Sequence, residues 1–259
     1  MTSVATTWLK AEVDGEGAPV VLIHGLGGTS NSFQTLMGGL SGFRVIRPDL
    51  PGSGRSPLPH QPLTIDLLSE ALIDAMRSLG ANPAHLVGHS MGTIICQHIA
   101  AQKPDMVLSL ALFGPIHQPA DAARQRIRDR ARTAREQGMV GVADASAMAG
   151  LSSSSKTNNP VSTAFLRESH MRQDAEGFAA TCEALASATA ADLRLIRCPA
   201  LLVTGSEDAV APPTAAQAMS DKIKSSKLKV LEQCGHWPMI EKPAESTRLL
   251  SDFLRGLIR

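Results

Sequence analysis

Short apolar runs alternate with helix-length amphipathic segments through the first 115 residues of the chain. Four runs have the length and composition of buried strands: residues 20–23, 43–46, 84–87 and 107–113. The segments between them are predicted to form helices: residues 31–40, 64–79 and 93–101. Thr64 is suited to cap the second helix. Because the strands are apolar throughout, the pattern predicts an α/β fold with a mostly parallel sheet and helices on both faces.

The alternation stops at Gly114 and Pro115, directly after the predicted strand over residues 107–113. Residues 116–191 are predicted to be helical and polar, with an arginine-dense helix over 121–137 and a loop over 152–160. Strands are predicted again over 200–204 and 228–231, and a helix over 244–257. We therefore expect a core of residues 1–115 and 192–259, and a helical lid of residues 116–191 inserted after the sixth core strand. Such a lid would cover the strand ends, where open parallel sheets bind ligands.

Composition narrows the function more than the fold. The 25 basic and 24 acidic residues give a net charge of +1, so bulk charge offers no reason to expect a nucleic acid or an anionic membrane as partner. The apolar runs are strand-sized and residues 1–17 contain no signal-peptide core, which predicts a cytoplasmic protein with a small-molecule substrate. Oligomeric state is left unpredicted.

Cysteine usage and the glycine-rich segments argue against a metal or an organic cofactor. Four widely separated cysteines are predicted to be reduced thiols: Cys96, Cys182, Cys198 and Cys234. No cluster of acidic, His or Cys residues has metal-ligand spacing, and residues 52–54 lack the third glycine of a dinucleotide loop. The chain has no tyrosine, which excludes mechanisms that need a tyrosine acid or oxyanion donor.

Ser90 is the candidate nucleophile, at the centre of a G-x-S-x-G pentapeptide formed by residues 88–92. A predicted strand precedes this motif and a predicted helix follows it, which is the context of a nucleophile elbow. A serine hydroxyl needs a neighbouring base to accept its proton. Asp208 and His236 each follow a later predicted strand, so the chain order is Ser, Asp, His. This order favours His236 as general base and Asp208 as the carboxylate that orients it.

Two backbone N–H groups are predicted to stabilise a developing oxyanion. Residues 24–28 read His-Gly-Leu-Gly-Gly and follow the first strong strand. Their glycines would let the backbone approach the reacting carbonyl, so the expected donors are the N–H of Leu26 and that of Met91.

Glu207 remains an alternative to Asp208 as the carboxylate that orients His236, because it is the adjoining residue.

Together these motifs, with Asp-Leu-Pro-Gly-Ser-Gly-Arg-Ser at residues 49–56, resemble the alpha/beta-hydrolase superfamily. Residues 135–139 and 177–185 are most similar to the branch of 3-oxoadipate enol-lactonases and small carboxylesterases. The resemblance implies a serine hydrolase that cleaves a small carboxylic ester or lactone through an acyl-serine intermediate. His24 stands where enol-lactonases usually have a small polar residue, which favours a general esterase.

Other functions of the same fold stay open. Carbon–carbon bond hydrolases and cofactor-free haloperoxidases share the triad, although Leu26 stands where the latter usually carry an aromatic residue. Epoxide hydrolases and haloalkane dehalogenases have aspartate at the position of Ser90. A slow-turnover ligand receptor is the non-enzymatic alternative.

The substrate pocket is predicted less sharply than the triad. Its candidate residues are His24, His89, Met139, Trp237 and Arg128. His24 could instead brace the oxyanion loop, and His89 could pack beneath the elbow. Four arginines share one face of the predicted helix over 121–137 and form either a solvated surface or a site for an anionic substrate: Arg124, Arg128, Arg132 and Arg135.

Overall fold

The structure is a computed structural model that describes residues 2–5 and 9–257. Its centre is an eight-stranded sheet in the order β1-β2-β4-β3-β5-β6-β7-β8. The strands are β1 (Thr2–Ala5), β2 (Lys10–Asp14), β3 (Ala18–Ile23), β4 (Phe43–Asp49), β5 (Ala84–His89), β6 (Val107–Phe113), β7 (Ala200–Gly205) and β8 (Ser226–Leu231). From β4 across to β8 all neighbours are parallel, whereas β1 and β2 pair antiparallel at one edge. The mostly parallel sheet is confirmed, and the strands that the sequence pattern does not predict are the antiparallel β1 and β2.

Side-chain alternation along the central strands divides the core into two apolar layers. On β3, Val21 and Ile23 belong to the layer that contains the helices α1 (Ile65–Ser78) and α2 (Met91–Gln102). Val20 and Leu22 point to the other layer, which contains the C-terminal helix α10 (Pro243–Arg255). Because successive residues of a strand face opposite sides, a continuous apolar run needs a cover on both faces. The predicted helices on both faces are confirmed.

The helices of the first half begin and end close to the predicted limits. Thr64 caps α1 by accepting a hydrogen bond from the N–H of Leu67 at 3.1 Å, as predicted. The segment predicted as a helix over 31–40 is a series of 3-10 turns from Ser30 to Gly39, capped by Thr29. Further 3-10 turns cover Pro104–Met106 and Leu193–Leu195.

Five helices separate β6 from β7, and they are called the helical insert below: α3 (Asp121–Gln137), α4 (Met139–Gly150), α5 (Ser153–Asn158), α6 (Pro160–Met171) and α7 (Ala175–Ala186). The helix predicted over 121–137 is confirmed by α3. Helices α8 (Pro213–Ser220) and α9 (Pro238–Glu241) follow β7 and β8.

The loop predicted over residues 152–160 is wrong, because α5 and the start of α6 occupy it. Ser152 caps α5 by accepting the N–H of Ser155 at 3.1 Å. Asn159 caps α6 by accepting the N–H of Ser162 at 3.1 Å, and Pro160 occupies the first turn of α6. Serine, asparagine and proline therefore mark the starts of two helices here, since the same residue types serve caps and loops.

Within the described ranges, no helix has the length and hydropathy to cross a bilayer. The four cysteines are unpaired; three are buried and Cys198 is half-buried. Burial raises the pKa of the Cys182 thiol to about 12 and that of Cys198 to about 11, so both thiols are protonated at neutral pH.

Candidate active site

Ser90 lies in a strained turn between β5 and α2. Its backbone has φ 52° and ψ −119°, a region that residues with a side chain rarely adopt. A Cβ atom on Gly92 would overlap the carbonyl oxygen of Ile23, so this position accepts only glycine. The N–H of Ser90 donates to the carbonyl oxygen of Phe113 at 3.0 Å, which ties the turn to the end of β6. The G-x-S-x-G motif thus holds the Ser90 hydroxyl at the carboxyl end of the sheet.

Ser90, His236 and Asp208 form one hydrogen-bonded chain. The Oγ of Ser90 lies 2.8 Å from Nε2 of His236. The Nδ1 of His236 lies 2.9 Å from Oδ2 and 3.1 Å from Oδ1 of Asp208. All three residues are buried. An imidazole placed between a hydroxyl and a carboxylate can take the hydroxyl proton while the carboxylate stabilises the resulting imidazolium.

Asp208 is held in its ionised form. Burial alone pushes the pKa of this carboxyl upward, but the opposing influences of His236 and the N–H groups of Val210 and Ala211 leave the pKa below its ordinary value. Those N–H groups donate to Oδ1 at 2.8 and 2.7 Å. Glu207, by contrast, is exposed and accepts the N–H of Ser153 at 2.8 Å. The structure therefore brings Asp208, and not Glu207, to the imidazole.

The sheet order explains why these distant residues meet. Chain connections run to opposite sides of β3, because β4 lies on one side of it and β5 on the other. Open α/β sheets bind ligands at such a switch in strand order, beyond the carboxyl ends of the strands. Ser90 follows β5, residues 24–28 follow β3, Asp208 follows β7 and His236 follows β8.

The loop of residues 24–28 lies directly against the nucleophile. A Cβ atom on Gly25 would lie 2.7 Å from the Cβ of Ser90. Among the described residues, the N–H groups of Leu26 and Met91 have no hydrogen-bond acceptor. Both predicted donors are therefore free to accept a new partner close to Ser90.

The helical insert forms hydrogen bonds with the loop of residues 24–28. Ser169 on α6 donates its hydroxyl to the carbonyl oxygen of Gly27 at 3.0 Å, and the Gln173 amide lies 3.4 Å from the same oxygen. The Gln173 side-chain oxygen also accepts the N–H of Gly54 at 3.2 Å. The C-terminal end of α6 and the residues directly after it thus connect the loop of residues 24–28 to the turn of residues 51–56.

His24 does not reach a substrate pocket, contrary to its place among the predicted pocket residues. Its side chain is fully buried, with Nδ1 2.8 Å from the carbonyl oxygen of Gly25 and Nε2 accepting the N–H of Leu50 at 2.9 Å. Burial lowers its pKa, so the ring is neutral, as this pair of contacts requires. His24 therefore braces the loop of residues 24–28, in agreement with the second role that the sequence leaves open for it.

His89 is likewise enclosed beneath the elbow and is not a pocket wall. Its Nε2 donates to the carbonyl oxygen of His236 at 2.8 Å, and burial, reinforced by His236, lowers its pKa to about 3. The ring packs 4.3 Å from the Trp237 ring, measured between centroids. His89 therefore contacts the hydrogen-bonded chain of Ser90, His236 and Asp208 through the backbone of His236.

The other predicted pocket residues separate into buried and exposed groups. Met139 is buried in the same apolar cluster as Leu26 and Met91. Trp237 is buried between the rings of His89 and His170. Arg128 is exposed on α3, so the structure does not bring it to the site.

Three of the four arginines on the predicted basic face are engaged within the insert. Arg124 donates to the carbonyl oxygen of Ala186 at 2.6 Å, and Arg132 pairs with Asp129 at 3.0 Å. Arg135 binds the carboxylates of Glu176 and Glu183 on α7. This face is mainly a structural contact between α3 and α7.

His170 is a site residue that the sequence pattern did not reveal. It is buried at the end of α6, with Nδ1 2.9 Å from the carbonyl oxygen of Leu166. A Cβ atom on Gly27 would overlap its ring, and the ring centroid lies 6.1 Å from that of Trp237. Burial lowers its pKa, so the ring is neutral beside the loop of residues 24–28. A lone histidine in a helical segment carries no local signal of such a contact.

The chain matches the family model described as the alpha/beta hydrolase fold over residues 18–243. It belongs to the alpha/beta hydrolase fold family. A pimeloyl-(acyl-carrier protein) methyl ester esterase of Neisseria meningitidis is 32% identical, the match covering 92% of this chain and 94% of the relative. A hydrolase of Acinetobacter baylyi named for (E)-2-((N-methylformamido)methylene)succinate is 25% identical, over 93% of this chain and 91% of the relative.

Solved structures of this hydrolase family superpose over nearly the whole chain. A malate-bound thermophilic esterase from Thermogutta terrifontis has a TM-score of 0.93 at 26% identity and covers 100% of both chains. The enol-lactonase of Burkholderia xenovorans has a TM-score of 0.92 at 28% identity and covers 98% of this chain and 100% of its own. The predicted alpha/beta-hydrolase fold and the resemblance to esterases and lactonases are confirmed.

Proposed function

We propose that this alpha/beta hydrolase cleaves a small carboxylic ester or lactone through an acyl-Ser90 intermediate. The observation that carries the proposal is the chain from Ser90 through His236 to Asp208, with contacts of 2.8 and 2.9 Å. We propose that residues 1–115 and 192–259 form the hydrolase core and that residues 116–191 form a lid. The helical insert would then cover the chain of Ser90, His236 and Asp208. We place the enzyme in the cytoplasm with a small-molecule substrate, and we propose no cofactor, nucleic acid or membrane partner.

The geometry supports a two-step acyl transfer. Nε2 of His236 accepts the proton of Ser90 while Oγ bonds to the substrate carbonyl carbon, and the carbonyl oxygen becomes an oxyanion facing the N–H groups of Leu26 and Met91. The carbon–oxygen bond to the alcohol then breaks, and His236 returns the proton to the departing oxygen. In the second step water gives its proton to His236, attacks the acyl carbon and releases the acid from Ser90.

The relatives support an ester or lactone over a carbon–carbon bond as the bond that is cleaved. The Neisseria relatives are named as methyl ester esterases, and the solved structures include an esterase and an enol-lactonase. We therefore expect a carboxylic ester with a small alcohol, or a ring-closed equivalent. A carbon–carbon bond hydrolase, a cofactor-free haloperoxidase and a slow ligand receptor are the alternatives to be tested.

The decisive experiment compares Ser90→Ala with Ser78→Ala, a substitution at an exposed position on α1. We expect Ser90→Ala to lower kcat for p-nitrophenyl butyrate by about 10⁶-fold, because the nucleophile is lost. A fluorophosphonate probe should label the native protein and Ser78→Ala but not Ser90→Ala. Full esterase activity in Ser90→Ala would overturn the proposal, and absence of labelling in the native protein would favour a receptor.

A carboxylated ester is a second candidate, favoured by Arg130. This residue is half-buried next to the buried Ala131 on α3, and within the described ranges it has no hydrogen bond or ion pair. Burial lowers the pKa of His170, the Leu166 carbonyl opposes this, and the charge of Arg130 adds to the lowering. His170 packs against the loop of residues 24–28. A substrate carboxylate in this region would give Arg130 the partner that Arg124, Arg132 and Arg135 already have.

An ester panel tests this candidate. We expect Arg130→Gln to raise KM for a carboxylated ester about tenfold or more and to leave a neutral ester of equal size unchanged. Arg128→Ala, at an exposed position on the same helix, is the matched control. Equal KM changes for both esters would remove the anionic substrate from consideration.

A further inference from the structure

Glu241 is a buried carboxylate close to His236 that the proposed mechanism does not use. It is the last residue of α9 and is 7% exposed. Its Oε1 accepts the N–H of Gly235 at 2.9 Å and the N–H of Trp237 at 3.2 Å. Its Oε2 accepts the N–H of Ser152, in the helical insert, at 2.8 Å. In the part of the chain that the structure describes, no lysine or arginine pairs with this carboxylate.

These contacts fix the backbone on both sides of the imidazole. The N–H groups before and after His236 both end on Oε1 of Glu241. The N–H of His236 itself donates to the carbonyl oxygen of Gly150 at 2.7 Å, and its carbonyl oxygen accepts Nε2 of His89 at 2.8 Å. The polar backbone groups around His236 are therefore satisfied by two side chains and one carbonyl of the insert. Such fixed backbone contacts restrict where the imidazole can lie.

Two of the contacts come from the turn between α4 and α5. Gly150 ends α4, and Ser152 precedes α5. This turn packs tightly on the histidine loop, since a Cβ atom on Gly235 would lie 2.6 Å from the carbonyl oxygen of Gly150. Glu241 joins the turn to the histidine loop, because its Oε2 binds Ser152 in the turn and its Oε1 binds the residues on both sides of His236. Displacing the turn would leave Oε2 of Glu241 and the N–H of His236 without partners.

We infer that Glu241 is a positioning residue: it holds His236 in line with Ser90 and couples that alignment to the turn of residues 150–152 in the helical insert. The inference rests on the proposed triad function. It adds that the position of the insert affects the alignment of His236 through one carboxylate, in addition to any effect that the insert has on the shape of a pocket. A carboxylate can accept all three N–H groups, whereas the amide of glutamine cannot, because an NH2 donor replaces one of the two acceptor oxygens.

The first experiment replaces Glu241 and normalises activity by active-site titration. We expect Glu241→Gln to lower kcat per labelled site on the order of 10- to 100-fold, with little change in KM, because misplacement by about 1 Å can cost 10²-fold. The kinetic pKa of the pH–kcat profile should shift as well. Glu245→Gln, at an exposed position of the next helix, is the matched control. Unchanged kcat and pH profile in Glu241→Gln would overturn the inference and leave a purely structural role.

The second experiment removes only the contact from the insert. Ser152 has φ −65° and ψ 160°, values that proline adopts, so Ser152→Pro eliminates the N–H without demanding a new backbone conformation. Ser152→Ala removes the α5 cap but keeps this N–H, and serves as the matched control. We expect Ser152→Pro to lower kcat per labelled site at least fivefold relative to Ser152→Ala. Equal values would show that the insert is not coupled to His236 through Glu241.

A spectroscopic readout separates this inference from the proposed function. The Nδ1–H of His236, bonded to Asp208, should give a downfield proton resonance in the native protein whether or not an ester is turned over. Glu241→Gln should shift or broaden this resonance, and Glu245→Gln should not. Failure of the native protein to react with any ester would refute the proposed function alone. An unchanged resonance in Glu241→Gln would refute the positioning role alone.

Discussion

The loops at the carboxyl ends of the strands and the helical insert are built on different principles. Around Ser90, buried polar groups are satisfied mainly by backbone partners: His24 by Gly25 and Leu50, His89 by His236. In the insert, α3 is joined to α7 by exposed ion pairs such as that of Arg135 with Glu176. The first kind of contact fixes one geometry, whereas the second is screened by water and tolerates variation. The contacts around Ser90 therefore hold one geometry more strictly than the ion pairs between α3 and α7 do.

Of the substitutions that test this contrast, Asp208→Asn has the largest expected effect, and it tests the fixed geometry of the core. The amide would no longer stabilise an imidazolium at His236, so we expect kcat to fall by about 10⁴-fold with the fold intact. The measurement is steady-state hydrolysis of p-nitrophenyl butyrate. Glu207→Gln, at the exposed neighbouring position, should retain native kcat. A comparable loss in both variants would contradict the role given to Asp208.

A pair of glycine substitutions contrasts the two regions directly. In Gly92→Ala the new Cβ would overlap the carbonyl oxygen of Ile23. We therefore expect the free energy of unfolding to fall by about 3 kcal/mol or more, and fluorophosphonate labelling to be lost as well. Gly141 lies in α4 with no heavy atom within 4 Å of such a Cβ. Gly141→Ala should therefore stabilise the protein by about 0.5–1 kcal/mol. Urea unfolding measures both, and similar changes in the two variants would contradict the contrast.

Acid should destabilise the protein through its buried neutral histidines. Burial lowers the folded-state pKa of His89 to about 3 and also lowers the pKa values of His24 and His170. The unfolded chain therefore takes up more protons below about pH 6.5, so this stability is complete above that pH and is lost as the pH falls towards 3. His89, whose folded-state pKa is about 3, should contribute a slope of about 1.4 kcal/mol per pH unit between pH 6 and 4.5, and His24 and His170 should add to it in the same direction.

Urea unfolding at a series of pH values checks this prediction. His89→Gln should make the slope shallower by the contribution of one histidine. His60→Gln, at an exposed position, is the control and should leave the slope unchanged. An unchanged slope in His89→Gln would mean that His89 is protonated in the folded protein.

The smallest effect is expected for the ion pairs of the insert. Arg135→Gln removes the contacts with Glu176 and Glu183, but these groups are largely solvated, so the loss should be about 1 kcal/mol or less. Added salt should reduce the difference from the native protein, and kcat should not change. Thermal unfolding at low and high salt measures the effect. A loss as large as that of Gly92→Ala would show that the insert is fixed as tightly as the core.

The outcome for particular residues shows how far local patterns extend. The strand before Ser90 and the cap at Thr64 follow from apolar spacing and a capping residue, and the sequence predicts both. It also predicts α3, from a polar, arginine-dense segment of helix length. The helix at Ser153–Asn158 was missed, because serine and asparagine are common in loops and at helix starts alike. For His24 the sequence leaves two roles open, a pocket residue or a brace of the loop of residues 24–28, and its contacts with Gly25 and Leu50 agree with the brace.

By itself, the sequence determined the α/β layering and the order of Ser90, Asp208 and His236, because strand length, helical period and turn chemistry are local properties. Tertiary structure alone decided which carboxylate reaches His236, which histidines are buried, and where the helical insert contacts the residues around Ser90 and His236. These outcomes depend on contacts between distant parts of the chain, such as Glu241 with Ser152, 89 positions apart. No periodicity records such contacts, since they arise only when the ends of β3, β5, β7 and β8 converge.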